Sequence, residues 1–169
     1  MLRREDNLLL REQKKQRLIF KMEMRKGIIF DWIGTLAKNS DEIFPYSERV
    51  VRRLSGRYRI SVISIAGFGI EKRCKEIDDS GLREYFDHVV VDEVKTPEQY
   101  LECMRIMKTN PRDTFVVDDR AFRGIKIGNQ LGCKTYWIRN GRYSHETPNE
   151  ETGEPYEIIN SVEDLLNIL

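Results

Sequence analysis

Four apolar segments of the chain each end at a polar side chain of a type that takes part in catalysis or ion binding. These side chains are Asp31, Ser64, Lys95 and the adjacent pair Asp118 and Asp119. Burying a carboxylate is costly unless it is paired or bound to a metal, and two adjacent carboxylates repel each other unless a cation or a proton relieves them. Three carboxylates at one place would form an oxygen-rich site, which suits Mg²⁺. The carboxylates therefore predict a magnesium site.

Ser64 and Lys95 add groups that could bind an anion. Ser64 is followed by Ile65 and small residues, so its hydroxyl and the backbone N–H groups behind it could form an oxyanion or phosphate cradle. Lys95 stands two residues before Pro97, which can begin a helix, and its ammonium could reach over the edge of a sheet. Taken singly, a serine at a strand end and a solvated loop lysine are ordinary features. Their order along the chain favours a shared anion site.

The segments that position these groups alternate between strand and helix patterns. Strands are predicted at residues 27–32, 59–64, 88–91, 113–118 and 135–138. Helices are predicted at residues 45–54, 70–79, 97–108, 121–131 and 162–169. This alternation indicates an α/β, three-layer Rossmann-like fold with a mainly parallel central sheet. In such sheets functional groups lie beyond the carboxyl ends of the strands, which is where the candidate site residues fall.

The two ends of the chain differ in charge. Residues 1–26 carry nine Lys or Arg and four Asp or Glu, whereas residues 143–169 carry seven acids and no Lys or Arg. These ends could attract each other or a partner, although solvated charged faces are the simpler interpretation because exposed ion pairs are weak. Residues 1–25 are predicted to form a charged helical extension, either an appendage or part of the fold, and residues 26–169 an α/β domain.

The composition excludes several classes of protein. The chain has 169 residues, about one domain, and its 29 Lys and Arg nearly balance 28 Asp and Glu, so there is no clear nucleic-acid signature. Three widely spaced cysteines are predicted to be reduced thiols, and with two histidines they form no zinc motif. No apolar run approaches the ~20 residues of a membrane span and no signal peptide is evident. A cytoplasmic protein without a membrane partner is expected.

The set and order of these motifs resemble the haloacid dehalogenase-like (HAD) superfamily of phosphohydrolases. The likeness extends over residues 26–142. The first motif of that family, an apolar strand followed by DxDGT, corresponds to FDWIGT at residues 30–35. Its second-motif Ser or Thr falls on Ser64, its third-motif Lys on Lys95, and its acidic fourth motif on the pair at 118–119. The first motif is fairly specific, whereas the other three gain weight from their order.

The resemblance implies a reaction and a role for each residue. Asp31 would be the nucleophile and would form an aspartyl-phosphate. Mg²⁺ would be held by the Asp31 carboxylate, the Ile33 backbone carbonyl and Asp119, alone or with Asp118. Ser64 and Lys95 would act on the transferring phosphoryl group. The predicted phosphate ligands are Gly34, Thr35, Ser64, Ile65 and Lys95.

Two positions depart from the family pattern. Phosphatases of the family usually carry a second Asp two residues after the nucleophile as general acid and base, and here that position is Ile33. Such proton transfer is worth roughly 10²–10⁴-fold in rate, so hydrolysis is expected to be slow and acyl or aryl phosphates to suffer least. In the fourth motif many relatives have an outer acid about five residues on, whereas this chain has Gly124 there and an extra inner acid.

Three functional hypotheses remain open. The first is a Mg²⁺-dependent phosphatase or phosphotransferase, favoured by Asp31, Ser64, Lys95 and Asp119. The second is a non-catalytic relative that keeps the fold as a binding module, favoured by Ile33. A phosphorylated receiver domain is a distant third, because the order of the acids is wrong for it. The segments where family caps are inserted are short, so an open site is expected. It would admit a bulky or macromolecular phosphorylated substrate, or be covered by another subunit or by the N-terminal helix.

Overall fold

The computed structural model describes residues 8–16 and 25–169 of the chain. Residues 8–16 form helix α1. The strands are β1 (Gly27–Phe30), β2 (Arg59–Ile65), β3 (His88–Asp92), β4 (Thr114–Asp118), β5 (Lys134–Ile138) and β6 (Glu157–Ile159). The remaining helices are α2 (Ser47–Ser55), α3 (Ile70–Asp79), α4 (Pro97–Met107), α5 (Lys126–Leu131) and α6 (Leu165–Ile168). Within the described ranges, no helix has the length and apolar character needed to cross a membrane.

All six strands form one parallel sheet in the order β3-β2-β1-β4-β5-β6. Strand β1 lies inside the sheet, and all of its residues, Gly-Ile-Ile-Phe, are buried, as expected for a parallel strand covered on both faces. Its register pairs Phe30 with Val62 of β2 and with Val117 of β4. The residue that follows β1 therefore lies between the carboxyl ends of two neighbouring strands.

Two hydrophobic cores lie on opposite faces of the sheet, because successive side chains of a strand point to opposite sides. One core contains Ile28 and Phe30 of β1 and is covered by α2, α3 and α6. The other contains Ile29 and is covered by α4 and α5. The predicted three-layer α/β fold with a parallel sheet is thus confirmed.

The structure differs from the sequence prediction at strand β6 and at two helices, since the helix predicted at residues 162–169 is divided into a 3₁₀ turn, Val162–Asp164, and α6. Strand β6 was not predicted: it has three residues, of which Glu157 and Ile158 are exposed, and it pairs with β5 at the edge of the sheet. A strand this short shows no alternating pattern that distinguishes it from the polar loop before it. The single helix predicted at residues 121–131 is divided into a π-helical turn, Ala121–Ile125, and α5. Such π turns are frequent at functional sites.

Helix α1 covers part of the predicted N-terminal extension. All residues of this helix are exposed, including Leu8, Leu9 and Leu10. The rest of the predicted helical extension, at residues 1–7 and 17–24, lies outside the described residues. The division into an extension and a domain stays a prediction.

Candidate active site

The three predicted carboxylates meet at the carboxyl edge of the sheet. Asp31 follows β1, Asp118 is the last residue of β4, and Asp119 comes next. The Asp31 N–H donates to the Val117 carbonyl at 2.9 Å, which fixes the ends of the two strands side by side. One carboxylate oxygen from each aspartate lies within 4.8 Å of the others. The strand register therefore brings Asp31 close to a pair of acids that begins 87 positions later in the sequence.

Lys95 bridges two of these carboxylates. Its Nζ donates to Asp31 Oδ1 at 2.6 Å and to Asp118 Oδ2 at 2.5 Å. The side chains of Lys95, Asp118 and Asp31 are only 3%, 1% and 10% exposed, respectively. Lys95 stands in the turn before α4, where Thr96 and Gln99 form a capping box that fixes the start of the helix. The lysine therefore reaches over the sheet edge, as its position before Pro97 predicted.

The pKa values of the site reflect burial and crowding. Burial raises the pKa of Asp31 to about 6, with Lys95 opposing the rise and Asp118 adding to it. Burial, together with the charges of Asp31 and Asp118, raises the pKa of Asp119 to about 8. For Lys95, burial acts to lower the pKa, but the Asp118 and Asp31 carboxylates outweigh it and hold the pKa well above its usual value. The carboxylates thus stabilise a charged lysine but not one another.

Asp119 is the carboxylate without a partner. It is only 5% exposed, and no residue in the described part of the chain donates a hydrogen bond to its carboxylate or pairs with it. Asp118 differs, because its Oδ1 accepts the Arg120 N–H at 2.8 Å while its Oδ2 accepts Lys95. Asp119 lines a cavity, so its carboxylate is left to solvent or to a bound cation. A cation held by Asp119 and the neighbouring oxygens would balance its charge, and this all-oxygen donor set fits Mg²⁺.

Two glycines make room for the carboxylates. Gly34 has φ +86°, a left-handed conformation that favours glycine, and a Cβ there would overlap the Asp119 carboxylate. A Cβ on Gly124, in the π turn, would overlap the Asp118 carboxylate. Gly124, which stands where the family usually has its outer acid, thus leaves room for the Asp118 carboxylate.

The turn after Asp31 orients that carboxylate. The Thr35 hydroxyl donates to Asp31 Oδ2 at 3.3 Å. The Gly34 N–H donates to the Ala37 carbonyl at 2.7 Å, and the Thr35 N–H donates to the Trp32 carbonyl at 3.2 Å. Both amides already have acceptors, so phosphate binding by Gly34 and Thr35, which stays a prediction, would need these bonds to be shared or exchanged.

The hydroxyl of Ser64 is held by an arginine that the sequence analysis did not identify. Ser64 is buried, and its Oγ accepts from Arg73 Nη1 at 2.8 Å; the same Nη1 donates to the Ile65 carbonyl at 3.2 Å. The Arg73 Nε donates to Glu76 at 2.6 Å, which fixes the guanidinium on α3. Because Oγ accepts this bond, the Ser64 O–H remains available to donate to another acceptor.

A cavity of 230 Å³ joins these groups, and we call it the central cavity. Asp31, Ser64, Ile65, Lys95 and Asp119 line it together with residues that were not predicted: Arg73, Arg120, Arg123 and Tyr143. The Arg120 guanidinium carbon lies 3.7 Å from the centre of the Tyr143 ring, and Arg120 Nε donates to Glu146. The arginines form a cationic wall of the central cavity. In the sequence, the signal for this wall was the pair Arg120 and Arg123, which closely follows Asp119.

No other acid in the central cavity takes the place of the second Asp that is missing at position 33. Ile33 lines the cavity, and the only carboxylates in its lining are Asp31 and Asp119, both in the cluster. Glu146 is buried nearby, but its two oxygens accept from Arg120 Nε and from the Phe122 N–H. His145 is exposed and is not among the lining residues. Among the described residues, the central cavity therefore has no carboxylate or imidazole for proton transfer outside the carboxylate cluster.

Comparisons with known proteins agree with the geometry. A family model described as HAD-hydrolase-like matches residues 95–165. A glyceraldehyde 3-phosphate phosphatase from Methanopyrus kandleri is 25% identical over 103 residues, which are 58% of this chain and 44% of that protein. The chain therefore spans less than half the length of this curated relative.

Solved structures share the fold at low sequence identity. The HAD-hydrolase YfnB from Bacillus subtilis, bound to magnesium, has a TM-score of 0.63 and 21% identity, over 76% of this chain and 57% of that chain. A HAD phosphatase from Thermococcus onnurineus has a TM-score of 0.65 and 15% identity, over 85% of this chain and 97% of that chain. A 2-haloacid dehalogenase from Pseudomonas syringae has a TM-score of 0.61 and 20% identity, over 75% and 53%.

Proposed function

We propose that this chain is a member of the haloacid dehalogenase-like superfamily and a Mg²⁺-dependent phosphatase or phosphotransferase that acts through a phosphorylated Asp31. The observation that carries the proposal is the arrangement around Lys95, whose ammonium contacts Asp31 and Asp118 while Asp119 remains without a partner. A purely structural ion pair would not need a third, unpaired carboxylate beside it.

Asp31 is oriented for nucleophilic attack. Lys95 holds its Oδ1 and the Thr35 hydroxyl holds its Oδ2, so the carboxylate has a fixed orientation in the wall of the central cavity. In the first step an Asp31 oxygen forms a bond to phosphorus, and the bond from phosphorus to the leaving oxygen breaks with its electron pair. The leaving group then takes its proton from solvent, because Ile33 cannot supply one.

The cationic wall of the cavity stabilises the phosphoryl oxygens. Lys95 is positively charged, the Ser64 O–H is free to donate, and Arg73 lies behind Ser64 at hydrogen-bond distance. Fixed donors aimed at developing charge are the main source of stabilisation in phosphoryl transfer. We expect these residues to bind the equatorial oxygens of the transferring group.

Magnesium fits the opposite side of the same site. The Asp31 and Asp119 carboxylates and the Ile33 carbonyl would hold it, with Asp118 as a further ligand or as the partner of Lys95 alone. When bound, the ion neutralises phosphoryl charge and polarises the phosphorus centre. The unpaired, buried Asp119 carboxylate supports this assignment.

The second step, hydrolysis of the phospho-aspartate, is expected to limit turnover. An attacking water must lose a proton, and the usual base is absent at Ile33. A phosphorylated protein should therefore accumulate when the phosphoryl donor has a good leaving group.

Intact mass spectrometry tests the proposal directly. The protein is incubated with Mg²⁺ and acetyl phosphate, and a single added phosphoryl group is expected on the wild type and none on Asp31→Asn. Asp41→Asn is a matched control, because Asp41 is an exposed carboxylate in the loop before α2. Absence of the adduct from the wild type, despite measurable Mg²⁺ binding, would instead support a non-catalytic binding module, which the loss of the acid at Ile33 favours.

We further propose an open, capless domain beginning near residue 26. The segment between β1 and α2 contains only a small loop, closed by a bridge between Ala37 and Ile43, and the segment between β2 and β3 contains α3 and one short 3₁₀ turn. Neither is large enough for a separate cap. Such a site would admit a bulky phosphorylated substrate or be covered by another subunit.

A further inference from the structure

We propose that the substrate is the phosphate ester of a phenol, with the aromatic ring bound in a cavity beside Asp119 that we call the side cavity. The inference rests on the proposed function, because it names the leaving group of that same reaction. It is carried by the lining of the side cavity and by the apolar side chain of Ile33, which lines both cavities.

The side cavity adjoins the central cavity. It has a volume of 420 Å³, within the roughly 300–1,000 Å³ usual for small-molecule sites. Ile33, Asp119 and Tyr143 line both cavities, so a group bound to phosphorus in one can extend into the other.

Aromatic side chains dominate one wall of the side cavity. The rings of Phe44 and Tyr46 are stacked, with centroids 5.3 Å apart and planes 5° from parallel, and Tyr143 also lines the cavity. Phe44, Tyr46 and Tyr143 are all partly exposed. Aromatic rings make favourable offset-stacked or edge-to-face contacts with a further ring.

Ile33 gives a second, independent reason for a phenol. With no general acid, the leaving oxygen must depart as an anion, so its own acidity controls the rate. A phenol has a pKa of about 10, far below that of an alkyl alcohol, and phenolate departs without prior protonation. Ile33 also offers an apolar surface to the ring from the position where relatives carry a carboxylic acid. The same substitution therefore removes the acid and favours a substrate that does not need one.

The charges at the junction suit a departing phenolate. Arg120 lines the central cavity and packs on the Tyr143 ring, at the boundary between the two cavities. In the side cavity, Lys38 and Arg142 are the charged side chains besides Asp119. Lys38 pairs with Glu42, whereas Arg142 lies 5.5 Å from the Tyr143 ring centroid. When the phosphorus–oxygen bond breaks, its electron pair stays on the phenolic oxygen, which then takes a proton from solvent.

A second space on the other side of the central cavity provides a control. This groove of 380 Å³ shares Ile65, Lys95 and Arg123 with the central cavity, and the exposed Phe122 lines it. Its wall contains one aromatic ring and no stacked pair in the described residues. It could receive the leaving group on volume alone, which makes the choice between the two spaces testable.

The experiment compares two phosphate esters with acidic leaving groups. Phenyl phosphate carries a ring, whereas 2,2,2-trifluoroethyl phosphate does not. The rate of Asp31 phosphorylation by each ester is measured in the presence of Mg²⁺ for the wild type, Tyr46→Leu, Asn140→Trp and Phe122→Leu. Asn140→Trp places a bulky ring in the side cavity from an exposed loop position. It serves as a second variant because Tyr46 also precedes α2 and its replacement could affect folding.

We expect Tyr46→Leu and Asn140→Trp to lower the ratio of the phenyl to the trifluoroethyl rate by about three- to tenfold, the size of one aromatic contact. Phe122→Leu is expected to leave this ratio unchanged. An unchanged ratio in both side-cavity variants, or a reduced ratio in Phe122→Leu, would overturn the inference while leaving the proposed function intact. If acetyl phosphate also fails to phosphorylate wild-type Asp31, the proposed function and this inference are both wrong.

Discussion

The two sides of the carboxylate cluster differ in how their charge is balanced. On one side, Lys95 contacts Asp31 and Asp118, and a backbone N–H completes the surroundings of Asp118. On the other side, Asp119 has no donor in the described structure and borders both the central and the side cavity. We call these the paired side and the open side. The protein satisfies the paired side with its own groups, whereas on the open side its described residues supply no donor to Asp119.

The net charge of the carboxylate cluster and Lys95 points to the same difference. Three ionised carboxylates and one ammonium leave two negative charges in excess, which is the charge of one divalent cation. The raised pKa of Asp119, about 8, shows that the cation-free protein favours a proton in its place. The adjacent residues Asp118 and Asp119 are therefore chemically distinct: one serves mainly as a counter-ion for Lys95, and the other is available to a metal.

The largest effect is expected from breaking the paired side. Lys95→Met would leave Asp31 and Asp118 buried without their shared cation, and removal of one partner from a buried ion pair costs about 3–5 kcal/mol. Urea unfolding at pH 7 without divalent cations measures this loss. Lys38→Met is the matched control, because Lys38 forms an exposed pair with Glu42 that is worth less than about 1 kcal/mol. A loss in Lys95→Met no larger than in the control would mean that the paired side is not a stabilising unit.

The open side has an isoleucine at the position where a general acid is expected, and Ile33→Asp would supply that acid. Turnover of phenyl phosphate is expected to rise by about 10²-fold or more, because a positioned acid assists the leaving group and the same carboxylate activates the water. Steady-state kinetics with Mg²⁺ measures the gain. Ile33→Asn introduces a polar side chain of the same size as aspartate that cannot transfer the proton, and it should give no comparable gain. Equal rates for the two variants would show that proton transfer is not what limits the wild type.

Most of the fold and the centre of the site are predictable from the sequence. The apolar runs before Asp31, Ser64 and Asp118 form interior strands that are buried on both faces of the sheet, and such runs have a clear pattern. Because parallel strands all direct their carboxyl ends to one edge, acids at those ends must come close together. Strand β6 was missed, since its pairing with β5 depends on a tertiary contact and not on a local pattern.

The surroundings of the site are less predictable. Arg73 lies on α3 among other charged residues, and nothing in its local sequence distinguishes it from a solvated helix residue until the structure places its Nη1 beside Ser64. Arg120 and Tyr143 meet because the loop after β5 folds back over the end of β4, a contact between distant segments. The separate environments of Asp118 and Asp119 are likewise set by the register of the strands and by the clearance at Gly34 and Gly124.

The pH dependence of stability isolates the open side. In the folded protein the pKa of Asp119 is raised from 3.8 to about 8, so between about pH 4 and pH 8 the folded state binds more protons than the unfolded state. Stability without divalent cations should therefore fall as the pH rises through this window, and Asp31, with its pKa raised to about 6, adds to the fall between about pH 4 and pH 6. Asp119→Asn should flatten this pH dependence, whereas the exposed control Asp41→Asn should follow the wild type.

Magnesium provides the matching measurement on the same variants. At ten times its Kd the ion should stabilise the wild type by about 1.4 kcal/mol, which corresponds to a rise in Tm of about 3–6 °C for a domain of this size. At one fixed Mg²⁺ concentration the rise should be larger at pH 8 than at pH 6, because the proton on Asp119 competes with the ion. Asp119→Asn should lose most of the rise and Asp41→Asn should keep it. A rise that survives in Asp119→Asn would place the ion on the paired side and would remove the distinction between the two adjacent carboxylates.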